Sequence, residues 1–195
     1  MSLQPKPFLS LEGCLEGERA ALESRSEYLD GEVFAMTGAS LEHNTIVMNI
    51  GRELSIQLKG HPCRVYANDM KVLIRSANVG TYPDLVAYCG EPELLDDRRD
   101  VPLNPGLIVE VLSDSTKAYD REGKFALYRQ VPSLREYLLV SQDRVRVECY
   151  RRGTDDHWPL TDYVRLEDRI PLKSLDCTLV LAEIYDKVEL ARVAF

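Results

Sequence analysis

Two short and almost entirely apolar runs constrain the fold more than any other feature of this sequence. Residues 85–88 and Leu107–Leu112 have the length and composition of central strands that are buried on both faces of a sheet. The second run contains one charged residue, Glu110. A carboxylate in such a strand costs several kcal/mol unless it is paired, protonated or bound to a metal. The sequence therefore predicts a central sheet with an acidic side chain inside it.

Two longer segments have the sequence features of helices. Apolar residues recur every four positions over residues 41–59, and Ser40 is a suitable N-cap for this segment. A second helix is predicted over residues 116–130, where Ser115 would cap its start and Pro132 would follow its end.

The remaining segments favour shorter elements. We expect a surface helix over residues 10–24, a turn at Asp30-Gly31, an extended segment over 63–74, a solvated loop over 91–106, a hairpin of 136–140 with 145–150, a strand over 177–181 and a terminal helix over 182–192. This order predicts an α/β or α+β fold in which helices flank a mixed sheet. Because 195 residues is about the size of one domain, we expect a single domain over residues 1–195 with its core at about 25–150.

Composition and missing motifs argue against several classes of protein. No segment approaches the ~18 uncharged apolar residues that a membrane span needs. The five cysteines are scattered and never form Cys-x-x-Cys, which favours reduced, mostly buried thiols in a cytoplasmic protein over a disulfide framework or a structural zinc site. Glycine-rich phosphate loops and Gly-x-Ser-x-Gly are absent, and no two of the three histidines are four apart. Nucleotide-binding folds, nucleophile-elbow hydrolases and zinc enzymes therefore lose their main support.

Charge is segregated along the chain. The formal net charge of −8 argues against a histone-like coat of positive charge. Residues 117–135 nevertheless hold five basic and two acidic side chains, and residues 59–75 hold four basic and one acidic, so each segment carries a local charge of +3. Because phosphate-binding surfaces need such segregation, the sequence allows a local basic groove.

Asp84 and Glu110 are candidate metal ligands. Asp84 follows Pro83 and opens one apolar run, and Glu110 lies within the other. Taken singly, Asp84 could be a turn residue after proline and Glu110 a carboxylate paired with a nearby Arg or Lys. Together, two acids from neighbouring strands would offer hard oxygen ligands to Mg²⁺ or Mn²⁺, and a nearby lysine could polarise an attacking water. This combination is typical of metal-assisted phosphodiester hydrolysis.

Several short motifs resemble one known family in their order and spacing. They are Glu27-Tyr28-Leu29-Asp30-Gly31-Glu32, Gly38, His43, Asp69, Tyr82-Pro83-Asp84, Glu110-Val111-Leu112-Ser113, Asp120, Lys124, Tyr128 and Glu136-Tyr137. With them the chain resembles the Uma2 (DUF820) family, which is assigned to the PD-(D/E)xK restriction-endonuclease-like superfamily. The resemblance covers roughly residues 25–150 and, more loosely, the tail through Tyr185. It implies a restriction-endonuclease-like fold and a metal-dependent DNA endonuclease.

The resemblance also implies roles for particular residues. Asp84 matches the Pro-Asp aspartate of the superfamily and Glu110 its second-strand glutamate, so both are expected to hold the metal. The usual lysine two residues after that glutamate is replaced by Leu112, which can act neither as a base nor as a charge clamp. The resemblance places the lysine on the following helix, as Lys124. Asp120 lies four residues before Lys124 on the same helical face, although the two could also form an exposed helix ion pair.

Four further residues are candidates for supporting roles. Glu32 could be a metal ligand or hold a water, or it could be a polar strand residue after the turn. His43 could contact phosphate or Glu32, or it could be an ordinary first-turn histidine. Asp69 suits a turn as well as a site. Tyr128 shares the helical face of Lys124.

We therefore expect a cytoplasmic, Mg²⁺- or Mn²⁺-dependent DNA endonuclease, and the resemblance together with the frequency of two-fold assemblies implies a homodimer. The acidic pI of about 5.0 and Leu112 leave a second class open, a nuclease fold without catalysis that binds nucleic acid or protein. A metal-dependent hydrolase of another phosphate ester is a third. Clustering of the Asp84, Glu110 and Lys124 side chains would favour the first class over the second.

Overall fold

The computed structural model describes residues 9–20, 25–35, 38–113 and 117–190. The helices are α1 (Leu11–Ala20), α2 (Leu41–Gln57), α3 (Phe125–Tyr128) and α4 (Leu181–Ile184). The strands are β1 (Ser26–Leu29), β2 (Glu32–Ala35), β3 (Cys63–Ala67), β4 (Val72–Ile74), β5 (Val79–Thr81), β6 (Leu85–Cys89), β7 (Leu107–Leu112), β8 (Glu136–Ser141), β9 (Val147–Arg151), β10 (Leu160–Tyr163), β11 (Arg169–Leu172) and β12 (Cys177–Val180). A π-helical turn, Tyr119–Lys124, leads directly into α3.

A six-stranded sheet in the order β10-β9-β8-β7-β6-β3 forms the centre of the fold. β7 pairs with β8 in parallel, and the other neighbouring pairs in this sheet are antiparallel. All six residues of β7 and the first four of β6 are buried. The predicted central strands and the mixed sheet of an α+β fold are therefore confirmed.

The alternation of side chains along β7 assigns its residues to two cores. Val109 and Val111 pack into the core that α2 covers. Ile108 and Leu112 pack into the opposite core, beneath α3 and the smaller sheet that contains β4 and β5. Because residues two apart on a strand share a face, Glu110 points into this second core.

The smaller sheet has the order β2-β1-β5-β4 and carries β1 toward the second core. β1 and β2 form a hairpin whose turn residues Asp30 and Gly31 have φ angles of 41° and 96°, as the predicted Asp-Gly turn requires. On its other side β1 pairs with β5. The chain leaves β5 at Thr81 and passes through Pro83 into β6 of the central sheet.

The two principal helices lie where the sequence predicts them. Ser40 caps α2 by accepting the amide hydrogen bond of His43 at 3.1 Å. Ser115 lies outside the described residues, but the chain is helical from 117 to 128, with the π-helical turn inside this stretch. A Cβ atom at Gly123 would lie 2.6 Å from the Tyr119 ring, so glycine allows that ring to pack closely against the turn.

The predicted terminal helix over 182–192 is wrong beyond its first turn. α4 ends at Ile184, and Lys187 has a left-handed φ of 60° that a continuing helix does not allow. The side-chain amide of Asn49 donates to the carbonyl oxygens of Ile184 and Asp186, at 3.0 and 2.8 Å. This contact from α2 satisfies carbonyls that a longer helix would have used.

One cysteine pair departs from the sequence prediction. Cys63 and Cys89 form a disulfide between β3 and β6, where the antiparallel register places them opposite each other. The prediction of reduced thiols is wrong for this pair, because residues 26 apart become neighbours only through strand pairing. Cys14, Cys149 and Cys177 are buried free thiols, as predicted. No helix within the described ranges is long and apolar enough to cross a membrane.

Candidate active site

Asp84, directly before β6, lies beside Glu110 of the neighbouring strand β7. Leu85 of β6 pairs with Val109 of β7, so the antiparallel register places Asp84, one residue earlier, beside Glu110. The Val111 amide donates a hydrogen bond of 2.7 Å to Oδ2 of Asp84 and fixes that carboxylate against β7. Glu110 is 4% exposed. The two predicted metal ligands therefore lie side by side at the sheet, with Glu110 buried and the Asp84 side chain 19% exposed.

The Lys124 ammonium contacts three carboxylates from three different parts of the chain. Its Nζ atom lies 3.1 Å from Oε1 of Glu110, 3.0 Å from Oε1 of Glu27 and 3.4 Å from Oδ1 of Asp120. The Lys124 side chain is 9% exposed, so these ion pairs are largely shielded from water. The structure therefore brings Asp84, Glu110 and Lys124 into one cluster.

The helical face predicted from residue spacing carries this part of the cluster. Asp120, Lys124 and Tyr128 are all buried. The Tyr137 hydroxyl donates a hydrogen bond of 3.0 Å to the carbonyl oxygen of Asp120 and ties the π-helical turn to β8. Because Asp120 and Lys124 are buried together, their alternative reading as an exposed helix ion pair is wrong.

Tyr128 links the cluster to the smaller sheet. Its hydroxyl donates a hydrogen bond of 2.8 Å to Oε1 of Glu110 and lies 2.9 Å from the Thr81 hydroxyl. Since the tyrosine proton goes to the carboxylate, the Thr81 hydroxyl donates to Tyr128. Tyr128 and Thr81 are both fully buried. Solvent therefore cannot easily replace a hydrogen bond that is lost from this chain.

Replacing Tyr128 by Phe is expected to lower the free energy of unfolding by roughly 1–3 kcal/mol, because it removes a donor from a buried carboxylate without supplying another. Urea denaturation in EDTA measures this change. Tyr66→Phe, at a half-buried tyrosine on β3 outside the cluster, is the matched control. Equal stability of the two variants would contradict the role assigned to the Tyr128 hydroxyl.

Burial and neighbouring charges set the protonation of the cluster. Burial raises the pKa of Glu110 above its ordinary value, the charge of Lys124 opposes this, and Asp84 and Asp120 add to it. Burial lowers the pKa of Lys124, but the charges of Glu110, Glu27 and Asp120 outweigh burial and raise that pKa above its ordinary value. Lys124 is therefore an ammonium at neutral pH, which supplies charge and hydrogen bonds and does not accept a proton.

His43 reaches the cluster from the first turn of α2. Its Nε2 atom lies 3.2 Å from Oδ2 of Asp84, and the two side chains are only 13% and 19% exposed. The Ser40 cap holds the turn that carries His43. His43 is therefore placed to orient Asp84, a contact that the sequence did not predict.

Two predicted supporting residues lie outside the cluster. Glu32 is an exposed residue of β2, next to the hairpin turn and paired with Leu29. The Asp69 side chain is 59% exposed and forms an ion pair with Arg25. The structure does not place either carboxylate among the residues that surround Lys124.

Glu27 is the member of the cluster that sequence reasoning missed. It belongs to the same motif as Glu32 but precedes the turn, and it pairs with Phe34 across the hairpin. Pairing of β1 with β5 brings this strand, rather than β2, toward Lys124. The sequence showed only that Glu27 is a carboxylate in a β-prone run. Whether Glu27 or Glu32 lies near Lys124 depends on this long-range pairing.

The two strand carboxylates have oxygen atoms available for a divalent cation. All hydrogen bonds from the described residues to the Glu110 carboxylate reach Oε1, and all those to the Asp84 carboxylate reach Oδ2. Within the same residues, no group of three or more His, Cys, Asp or Glu side chains is arranged to hold a metal. A cation would therefore take one or two carboxylates and complete its coordination with water, which is common for Mg²⁺. The donor set fits this hard cation.

Several basic residues of the two +3 segments are already engaged in ion pairs. Lys71 is buried and bonded to Glu18. Arg121 lies 2.7 Å from Glu148, and Lys124 is held by the cluster described above. The positive charge that these segments can offer to phosphate is therefore smaller than their composition implies.

Comparison with known proteins identifies relatives of this chain. It matches the profile of the Uma2 family, described as "Putative restriction endonuclease", over residues 8–182. One uncharacterised protein of Synechocystis sp. is 36% identical over 148 residues, which cover 76% of this chain and 83% of the relative. A second protein of the same organism, also uncharacterised, is 37% identical over 183 residues and 93% of both chains.

A solved structure shares the fold. The crystal structure of a "putative nuclease belonging to DUF820" from Anabaena variabilis matches with a TM-score of 0.75 over 93% of this chain and 99% of that one. At 14% sequence identity this likeness concerns the fold alone, a single mixed α+β domain. The family match and the two Synechocystis relatives extend over most of the sequence, and the chain therefore belongs to the Uma2 family.

Proposed function

We propose that this protein is a Mg²⁺- or Mn²⁺-dependent endonuclease that hydrolyses phosphodiester bonds in DNA. The observation that carries the proposal is the meeting of Asp84 and Glu110 on neighbouring strands, with Lys124 3.1 Å from Glu110. Neighbouring carboxylates that are largely shielded from water repel each other, and a dication relieves that repulsion. The description of the family and that of the Anabaena structure support the same class of activity.

Each residue of the cluster has a role in this proposal. Asp84 and Glu110 would hold the metal through their available oxygens, and His43 would keep Asp84 oriented. When bound, the metal polarises the phosphoryl oxygen and lowers the pKa of a bound water. Lys124 would donate hydrogen bonds to the attacking water or the phosphate and neutralise the negative charge that develops there. Glu27 and Asp120 would keep the ammonium in place.

The departure from the superfamily pattern at Leu112 is compatible with this chemistry. Leu112 shares the sheet face of Glu110 and packs in the apolar core beside Tyr128. A lysine there would replace that apolar contact with a buried charge. Lys124 reaches Glu110 from the helical segment that covers the same core. The ammonium therefore comes from this segment and not from position 112 of β7.

Nicking of supercoiled plasmid DNA tests the proposed activity. The protein is expected to nick the plasmid in Mg²⁺ or Mn²⁺ and to be inactive in excess EDTA. DNA binding without nicking in either metal would favour the alternative class, a nuclease fold that binds nucleic acid without cutting it. A homodimer and a cytoplasmic location remain predictions.

Binding to DNA is expected to be weak and strongly dependent on salt, because the net charge of −8 opposes it and many basic side chains are already paired. With about three phosphate contacts, the association constant should fall roughly 40-fold between 50 and 200 mM salt. Fluorescence anisotropy with duplex and single-stranded oligonucleotides in Ca²⁺ measures both affinities. A flat salt response would contradict binding through the phosphate backbone.

A further inference from the structure

The ammonium of Lys124 has the surroundings of a bound cation. Oxygen atoms of Glu110, Glu27 and Asp120 lie 3.0 to 3.4 Å from it and come from β7, β1 and the π-helical turn. These carboxylates come from three different elements of the fold, and Lys124 contacts all three. The ammonium therefore holds together a set of buried acids that would otherwise repel one another.

Glu110 binds the Lys124 ammonium and is also a ligand of the proposed metal, and these two roles oppose each other. Its Oε1 accepts hydrogen bonds from Lys124 and Tyr128, at 3.1 and 2.8 Å. The same carboxylate faces Asp84 across β6 and β7, where the proposed metal would bind. A dication on Glu110 and an ammonium on its other oxygen would lie within a few ångströms, and buried like charges at that separation repel strongly.

From this geometry we infer that Lys124 is a built-in counter-ion that competes with the divalent metal for Glu110. Metal binding shifts the ammonium away from Glu110 toward Glu27 and Asp120, which become its anchors in the loaded site. The inference rests on the proposed function, since it concerns the metal that Asp84 and Glu110 would hold.

The competition has a consequence for both states of the protein. Without metal, Lys124 keeps the acids assembled, so the site is formed before the cation arrives. With metal, the cost of moving the ammonium weakens cation binding, so occupancy follows the free metal concentration. Glu27 has a particular part in this coupling, because it makes the shortest of the three ion pairs and lies on a different sheet from Glu110.

Calorimetric titration of Mn²⁺ into four proteins tests the coupling: the wild type, Glu27→Gln, Lys124→Met, and the double variant. Lys124→Met, which keeps the length of the side chain without its charge, should bind Mn²⁺ about tenfold more tightly or better. Glu27→Gln should weaken Mn²⁺ binding several-fold when Lys124 is present, because the ammonium then depends more on Glu110. In the Lys124→Met background the same Glu27 substitution should have a much smaller effect.

Lys117→Met controls for the loss of a positive charge on the same helical segment and should change the Mn²⁺ affinity less than about twofold. Equal tightening by Lys117→Met and Lys124→Met would overturn the inference. So would an equal effect of Glu27→Gln in both backgrounds, which would make Glu27 a direct contributor to the metal site. If Lys124→Met alone does not fold, the double variant is compared with Glu27→Gln and should bind Mn²⁺ more than tenfold more tightly, because the tightening from Lys124→Met then adds to the relief of the Glu27→Gln effect.

Failure of this inference can be distinguished from failure of the proposed function. If neither the wild type nor the Lys124 variants bind Mn²⁺, there is no metal at Asp84 and Glu110 and the proposed function fails. If all of them bind with the same affinity, the metal site stands and the competition with Lys124 is wrong.

Discussion

Plasmid nicking is expected to fall by about 10³-fold or more when Asp84→Asn and Glu110→Gln are combined. A bound metal contributes several kcal/mol to stabilisation of the transition state, and each 1.4 kcal/mol is a factor of ten in rate. The two amides preserve the size of the side chains but remove both charges that attract the cation. Initial rates of nicking in saturating Mg²⁺ measure the loss, with circular dichroism to establish that the variant is folded.

Asp69→Asn is the matched control for this pair. Its side chain is 59% exposed and pairs with Arg25 outside the cluster, so nicking should continue at nearly the wild-type rate. A comparable loss in this control would place Asp69 in the site. Wild-type nicking by the double variant would exclude Asp84 and Glu110 from the chemistry.

Lys124→Met is expected to reduce the rate of the chemical step by ~10²–10⁴-fold at saturating metal, the range typical for a positioned group that assists proton transfer or neutralises charge. The same variant should bind Mn²⁺ more tightly than the wild type does. Slower cleavage with tighter metal binding is a combination that a general loss of structure would not produce. Single-turnover rates measured at several metal concentrations separate the two effects.

The control for Lys124 is Lys117→Met, seven residues earlier on the same helical segment. It should retain most of the single-turnover rate. If Lys117→Met were inactive and Lys124→Met active, another lysine would supply the ammonium, and the ion pairs of Lys124 would serve stability alone.

The protonation of Lys124 makes an electrostatic role the one that we expect for it. An isolated lysine at this depth would lose its proton, because burial lowers its pKa. The carboxylates of Glu110, Glu27 and Asp120 reverse that effect and raise the pKa above its ordinary value. A lysine held in this way is a poor general base and a strong source of positive charge.

Local sequence patterns predicted those parts of the site that depend on spacing within one element. The apolar runs located β6 and β7, and with them Asp84 and Glu110. Spacing by four placed Asp120, Lys124 and Tyr128 on one face, and the π-helical turn did not remove them from the core.

Features that depend on long-range pairing could not be predicted in this way. Glu27 and Glu32 flank the same turn, and only the pairing of β1 with β5 selects Glu27. The Cys63–Cys89 disulfide depends on the register of β3 and β6. The early end of α4 depends on Asn49, which is 135 residues away from Ile184 in the sequence. In each case the deciding partner comes from a distant segment.

Calorimetric titration of Mn²⁺ shows whether Asp84 and Glu110 together hold the divalent metal. The wild-type protein is expected to bind Mn²⁺ with a measurable heat, and the Asp84→Asn, Glu110→Gln variant is expected to show none at the same concentrations. Equal binding by the two proteins would contradict binding by these two residues and would place the metal elsewhere on the chain.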